Sequence, residues 1–300
     1  MYRMSHSLMP PARSPILAFP PGVCLGEAWR QAGALIGRQE ARQLLEYVTG
    51  CSHADLIAAP EHALSAGQSA QFADLTARRA AGEPLAYLLG TAWFCGLEFV
   101  VTPDVLIPRP DTETLVDYAL DCAAEWPAPR IADLGAGSGI VAILLARRCP
   151  HARIVASDIA PAALAVAREN AARHGATIDF RLGTWCEPLA DERFDLIVAN
   201  PPYIAEGDPH LLCDGLPFEP RSALTDGVEG GDGTACLQAI ITQAGAHLSP
   251  GGWLLLEHGY NQADKVRVLL RTAGFTQVAS RRDGVGIERV SGGRFGAQLA

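Results

Sequence analysis

Lysine is almost absent from this chain: Lys265 is the only one, and arginine supplies the rest of the positive charge. That skew reads as genomic composition bias without mechanistic content. Methionine is as scarce, with Met1, Met4 and Met9 all near the start, so any of them could be the natural first residue. No run of about 18 apolar residues occurs, which argues against a membrane span. Arg3 and Arg13 flank no strongly apolar core, which argues against a secretion signal. The eight cysteines (Cys24, Cys51, Cys95, Cys122, Cys149, Cys186, Cys213, Cys236) form no Cys-x-x-Cys pair, and no histidines cluster near them. This pattern points away from zinc or any other metal and toward reduced thiols in a cytoplasmic protein. Positive charge is also short, with 24 Lys and Arg against 33 Asp and Glu and a formal net charge of -9. No global field therefore draws the chain to nucleic acid.

What is present is 300 residues, enough for one large or two ordinary domains with a substantial core. Residues 1–22 carry prolines at 10, 11, 15, 20 and 21 and no helical period, so a flexible extension is expected there. From Leu25 the apolar residues Ala28, Trp29, Ala32, Leu35 and Ile36, then Ala41, Leu44, Leu45 and Val48, recur at helical intervals until Gly50. A further helix is expected over Ser69–Ala81, ending at Gly82. Such amphipathic stripes form the core of a small helical bundle. Phe94–Val101 alternates like a strand of a linker hairpin, and Pro108 and Pro110 lead into a helix over Thr112–Ala124.

The segment Phe194-Asp195-Leu196-Ile197-Val198-Ala199 is an apolar β-type run that stops at Asn200-Pro201-Pro202-Tyr203. Proline has no N–H and a fixed φ, so two in succession end the strand in a stiff turn rich in carbonyl acceptors. The Asn200 side-chain carbonyl lies beside them, so a planar NH2 group could give one hydrogen to Asn200 and another to a main-chain carbonyl of the turn. Tyr203 could cover the face of that group. Alternatively, the strand merely ends in a Pro-rich loop.

Upstream, Ile131-Ala132-Asp133-Leu134 runs into Gly135-Ala136-Gly137-Ser138-Gly139 and a helix from Val141 to Arg148. The glycines permit a tight turn and close approach to a ligand, and the helix start offers free N–H groups. The spacing Gly-x-Gly-x-Gly differs from the dinucleotide fingerprint, and Asp133 just before it would repel a pyrophosphate. A cationic ligand suits it better. The next strand, Ala152–Ser157, ends in Asp158, the position at which doubly wound folds hold ribose hydroxyls. Asp158 could also cap the helix Ala162–Arg173. Three candidate sites at strand carboxyl ends, a nucleoside pocket beside a nitrogen clamp, point to methyl transfer from S-adenosyl-L-methionine.

These segments resemble the protein glutamine N5-methyltransferases that modify peptide-chain release factors. The resemblance runs from about Leu25 to Arg294 and is carried by Arg78–Tyr87, Leu106-Ile107-Pro108-Arg109-Pro110-Asp111-Thr112-Glu113, the glycine loop, Asn200–Tyr203, Phe218-Glu219-Pro220, and Leu256-Glu257-His258-Gly259 with Gln262. It implies an α/β fold, a class I, Rossmann-like methyltransferase with a seven-stranded, mostly parallel sheet, preceded by a small helical bundle. The implied division is an extension (1–22), a helical substrate-binding domain (23–90), a β linker (91–107) and a methyltransferase domain (108–300). Phe275–Ser280 and Gly286–Val290 would form its closing antiparallel pair.

By the same resemblance, Gly135, Ala136, Gly137, Ser138, Gly139, Asp158, Trp185 and Asn200 would contact S-adenosyl-L-methionine, with Trp185 by the adenine. Asn200, Pro201, Pro202 and Tyr203 would hold the target glutamine, with Asn200, Pro201 and Tyr203 acting in catalysis. The implied substrate is a class I peptide chain release factor, with no direct nucleic acid and no membrane. The chain departs from the family at Gly183-Thr184-Trp185, where Asp often precedes the tryptophan, which leaves the adenine amino contact open. Trp185 could also be ordinary core. Arg109 and Glu113 read as a solvated pair second in importance to Asn200, and Glu219, Pro220 and Glu257 as structural. Rival readings are a ribosomal-protein glutamine methyltransferase, a nucleic-acid amino-methyltransferase acting on flipped bases, and an idle module that senses S-adenosyl-L-methionine.

Overall fold

The structure is a computed structural model and describes residues 19–296. The expected extension lies outside the described residues up to position 18, but its last part does not behave as one. Phe19 is buried against Phe72, and Gly22 N–H bonds the Leu64 carbonyl, because an apolar ring and a turn this close to a bundle gain more by packing than by staying solvated.

The chain divides into two compact units that meet between Leu89 and Gly90. The first is helical: α1 (Leu25–Ile36), α2 (Arg38–Thr49), α3 (His53–Ala58), α4 (Ala66–Ala80) and α5 (Leu85–Leu89). Ala28, Ala32, Ala41, Leu44, Leu45 and Phe72 form its fully buried centre. Leu35, expected in the stripe, is exposed instead. Helix α4 begins earlier than its apolar period, since Ser65 and Gln68 make a reciprocal capping box that holds the free N–H groups of the first turn. The same device at Ser52 and Asp55 starts α3, a helix too short to show a period.

The second unit opens with a hairpin, β1 (Thr91–Phe94) and β2 (Leu97–Val100), turned by Cys95 and Gly96, both at positive φ. It is more than a linker. Phe94 and Phe99 are buried in the core of this unit, and the fully buried Asn170 accepts from Val100 N–H and donates to the Val100 and Ser138 carbonyls.

After a 3-10 turn (Pro110–Thr112) come α6 (Glu113–Ala123), β3 (Arg130–Leu134), α7 (Ile140–Arg148), β4 (Arg153–Asp158), α8 (Pro161–Arg173), β5 (Asp179–Leu182) and β6 (Phe194–Ala199). The chain closes with α9 (Ala235–His247), β7 (Leu248–Glu257), α10 (Ala263–Thr272), β8 (Phe275–Arg282) and β9 (Glu288–Phe295). The main sheet has seven strands in the order β5-β4-β3-β6-β7-β9-β8, and only β9 runs against its neighbours. Apolar clusters fill both faces of the parallel part, as a sheet covered on two sides requires. This is the doubly wound α/β architecture that the resemblance implies. Strand order reverses between β3 and β6, so their carboxyl ends open a crevice, the usual ligand position in such sheets. Strand β9 extends past the expected Val290 through Gly292 and Gly293, whose lack of side chains admits Leu255 and Phe275. Among the described residues no helix is long and apolar enough to cross a membrane.

Candidate active site

The carboxyl ends of β3, β4 and β6 surround an open cleft of about 1030 Å³ measured out to its mouth. Its wall brings together Gly135, Ala136, Gly137, Ser138, Asp158, Trp185, Asn200 and Pro202 of the expected residues, joined by Asp133, Arg109, Thr112 and Thr184. Gly139, Pro201 and Tyr203 do not line it. Gly139 starts α7 at a φ of 83°, and a Cβ there would come within 3.2 Å of Ala167, so its task is to let α7 and α8 pack. Pro201 is buried, and the Tyr203 hydroxyl donates to Glu257 Oε1 at 3.4 Å.

The glycine loop is held at both ends by β4. Gly135 and Ala136 N–H both donate to the Ser157 carbonyl, and Gly137 N–H donates to Asp158 Oδ2 at 2.8 Å. Asp158 Oδ1 accepts from Ala160 N–H at 2.8 Å. Asp158 is not the cap of α8: Ala160 holds that position, with Pro161 as the first helical residue, so the acid lies too early in the chain. Each carboxylate oxygen keeps a further lone pair for ligand hydroxyls. Asp133 is buried and accepts from Ala142 N–H in the first turn of α7. Burial pushes its carboxyl up to about 7, against the pull of that N–H and with the nearby Asp158 charge adding to the rise. A cation in the cleft would restore its charge.

Trp185 takes a left-handed backbone, φ 46°, uncommon for a large residue and a sign that its position matters more than its local comfort. Its carbonyl accepts from the Ser157 hydroxyl, and its ring edge reaches Gly135. Thr184, at the position before Trp185, lines the cleft, and its N–H donates to Glu187 Oε2.

Asn200 Nδ2 donates to Thr112 Oγ1 at 3.2 Å, and no donor among the described residues reaches Asn200 Oδ1. The turn behind it is pinned by Gln262, the residue just before α10. Gln262 Nε2 donates to the Tyr203 carbonyl at 2.9 Å and to the Asp232 carbonyl at 3.0 Å, while Gly259 N–H donates to Gln262 Oε1. Gly233 lies so close that a Cβ would fall 2.2 Å from the Tyr203 carbonyl oxygen. Arg109 pairs with the buried Glu219 rather than with Glu113, and Glu219 also accepts from Ile107 N–H at 3.0 Å. The expected solvated pair is thus a partly buried tie between the loop before α6 and the loop after the clamp.

Two family models match the chain: the PrmC N-terminal domain over residues 27–90 and the methyltransferase small domain over residues 114–213. The release factor glutamine methyltransferase of Bordetella pertussis is 51% identical over 85% of this chain and 94% of its own length. The chain belongs to the release factor glutamine methyltransferase family. The relative of the same name from Burkholderia pseudomallei is 49% identical over 85% of this chain and 91% of its own. Among solved structures, a methyltransferase from Pyrococcus furiosus matches with a TM-score of 0.51 at 18% identity, covering 75% of this chain and 99% of that one, which shows the fold alone.

For a member of this family, the residues that motif reading missed are those behind the cleft. Thr112 stands in a motif that carries the resemblance and at an expected helix start, but its burial against Asn200 joins positions 88 residues apart, beyond any local period. Gly233 carries no motif, and only the folded turn shows why a side chain is excluded there.

Proposed function

We propose that this enzyme transfers a methyl group from S-adenosyl-L-methionine to the side-chain amide nitrogen, N5, of the glutamine in the Gly-Gly-Gln motif of class I peptide chain release factors, acting in the cytoplasm. The observation that carries the reading is the Asn200 carboxamide at the end of β6, its oxygen without a donor among the described residues, in the same cleft as the glycine loop and Asp158. The name shared by relatives about half identical to this chain supports the same substrate.

The residues fit the cofactor. Asp158 would take the ribose hydroxyls, Trp185 would flank the adenine, and residues 135–138 with Asp133 would meet the cationic amino-acid end. The bound cofactor supplies an electrophilic methyl on a sulfonium. The protein must then solve the problem of the nucleophile, because an amide lone pair is delocalised into its carbonyl. Asn200 Oδ1 and a main-chain carbonyl of the turn that follows it would accept the two N–H groups and hold the nitrogen aligned for attack. They also stabilise the positive charge that grows on nitrogen, a contribution made only in the transition state. No strong base is needed, since an N-methylated amide cation readily loses its proton to water.

Incubation with S-adenosyl-L-methionine and unmodified release factor, or unmodified ribosomal subunits, followed by peptide mass spectrometry tests the reading. Methyl on the Gly-Gly-Gln glutamine is expected, with Asn200→Ala lowering turnover by about 100-fold or more while cofactor affinity changes little. Methyl appearing only in ribosomal protein or RNA would overturn it.

A further inference from the structure

Behind the turn that carries Asn200, a chain of hydrogen bonds runs from α10 through β8 and β9 to the end of β7, and the reaction as described does not use it. Arg267 Nη1 donates to Ser280 Oγ at 2.5 Å, and the Ser280 and Ser291 hydroxyls meet at 2.7 Å. Ser291 Oγ lies 2.7 Å from His258 Nε2, and His258 Nδ1 lies 3.0 Å from the Gly259 carbonyl oxygen. His258 and Ser291 are wholly buried. The two ends of this chain fix its direction. A carbonyl can only accept, so Nδ1 carries a hydrogen. Burial disfavours a charged ring, which leaves Nε2 bare. Ser291 must then donate to Nε2, and Ser280, accepting from an arginine that can only donate, must donate to Ser291. His258 is thereby held as one tautomer. The Gly259 carbonyl also accepts from Gln262 N–H at 3.0 Å, while Gly259 N–H donates to Gln262 Oε1 at 2.8 Å. With that oxygen committed, the Gln262 amide has one satisfied orientation, its NH2 on the Tyr203 and Asp232 carbonyls.

We propose that His258, held as its Nδ1–H tautomer by Ser291, sets the Asn200–Tyr203 turn through Gln262 and so is a positioning residue for methyl transfer. The proposal rests on the reading of that turn as the clamp for the substrate nitrogen. His258→Gln can still reach Ser291 from the place of Nε2, but it takes the side-chain donor away from the Gly259 carbonyl. The 259–262 turn then loosens, and Gln262 with it. His258→Asn puts its NH2 near the place of Nδ1 and keeps that donor. Gln262→Glu keeps the shape and the Gly259 contact, yet it sets a carboxylate oxygen against two carbonyls, acceptor against acceptor, and pushes Tyr203 away.

The test compares Gln262→Glu, His258→Gln, His258→Asn, the Gln262→Glu/His258→Gln double variant and Asn200→Ala. For each, kcat and KM for unmodified release factor, affinity for S-adenosylhomocysteine and melting temperature are measured, with turnover read well below melting. Gln262→Glu and His258→Gln are expected to lower kcat by about 100-fold, as a small misplacement of a reacting group does, with KM and S-adenosylhomocysteine affinity within about twofold of the parent. His258→Asn, which keeps the donor, should stay within about threefold. The double variant should be no slower than Gln262→Glu alone, because both changes act along one route. Should His258→Gln fail to fold, Ser291→Ala takes its place: the ring loses the donor that holds its tautomer, and kcat should fall by about 10-fold. Turnover near the parent's in either Gln262→Glu or His258→Gln, with Asn200→Ala inactive, would overturn the positioning role and leave the clamp reading intact. Equal losses in His258→Gln and His258→Asn would do the same. Full turnover in Asn200→Ala would overturn both.

Discussion

At the scale of single residues, Asp158 shows how one acid can serve two masters. Its two oxygens already accept from Gly137 and Ala160 N–H, which fixes the carboxylate plane before any ligand arrives. Asp158→Asn replaces one acceptor by an NH2 group facing a backbone N–H, so both the loop and the proposed ribose contact should suffer. A loss of S-adenosylhomocysteine affinity of about 10- to 100-fold is expected by titration calorimetry, with a lower melting temperature, from roughly 1–3 kcal/mol for a misdirected polar group in a partly buried site. The place of Asp158 and Asn200 in the cleft wall was legible in the sequence because each stands at the end of an apolar strand, and a strand end is a local event. Thr112 and Glu257 stand in motifs that carry the resemblance, but their contacts with Asn200 and Tyr203 were not legible, because a buried partner from a distant strand leaves no local mark. Arg109 was misread for the same reason: Glu219, its true partner, lies 110 residues further along the chain.

At the scale of elements, the parallel strands and their helices could be read from apolar runs and glycines, while pieces defined by what they pack against could not. The hairpin β1–β2 was seen only in part, because its turn uses Cys95 where Asn or Asp normally supplies the positive φ. The length of β9 was hidden by Gly292 and Gly293, residues that weaken a strand on its own and are accepted here because β7 presses close. The turn after β6 depends in the same way on its neighbours. Gly233→Ala would force a methyl into the Tyr203 carbonyl at a φ of +76°, so the Asn200–Tyr203 turn has to shift. Chemical denaturation should register a loss of about 1–3 kcal/mol, and turnover should fall well beyond that, with cofactor affinity near the parent's because the glycine loop and Asp158 are untouched.

At the scale of the whole molecule, pH acts through groups that folding has removed from water. Asp133 and Glu257 are both raised by burial to about 7, from unfolded values near those of ordinary carboxyls. Raised carboxyls bind more protons in the folded state than in the unfolded one, so their contribution is whole below the unfolded pKa and is lost as pH rises through the folded value. His258, lowered by burial, works in the opposite sense below its unfolded value, but it is a single group against two. The ligand-free melting temperature is therefore expected to fall as pH rises from about 5 to 7, and Asp133→Asn should flatten that slope. An unchanged slope would show that Asp133 is ionised throughout. The segment 204–232 has its own large-scale meaning. Gln262 holds the Tyr203 and Asp232 carbonyls with one NH2 group, so the two ends of this segment meet at a single knot. A loop closed by its own knot can be rebuilt between its ends without retuning the chemistry beside it, and that makes this stretch the natural place to graft a different substrate preference onto the same methyl-transfer centre.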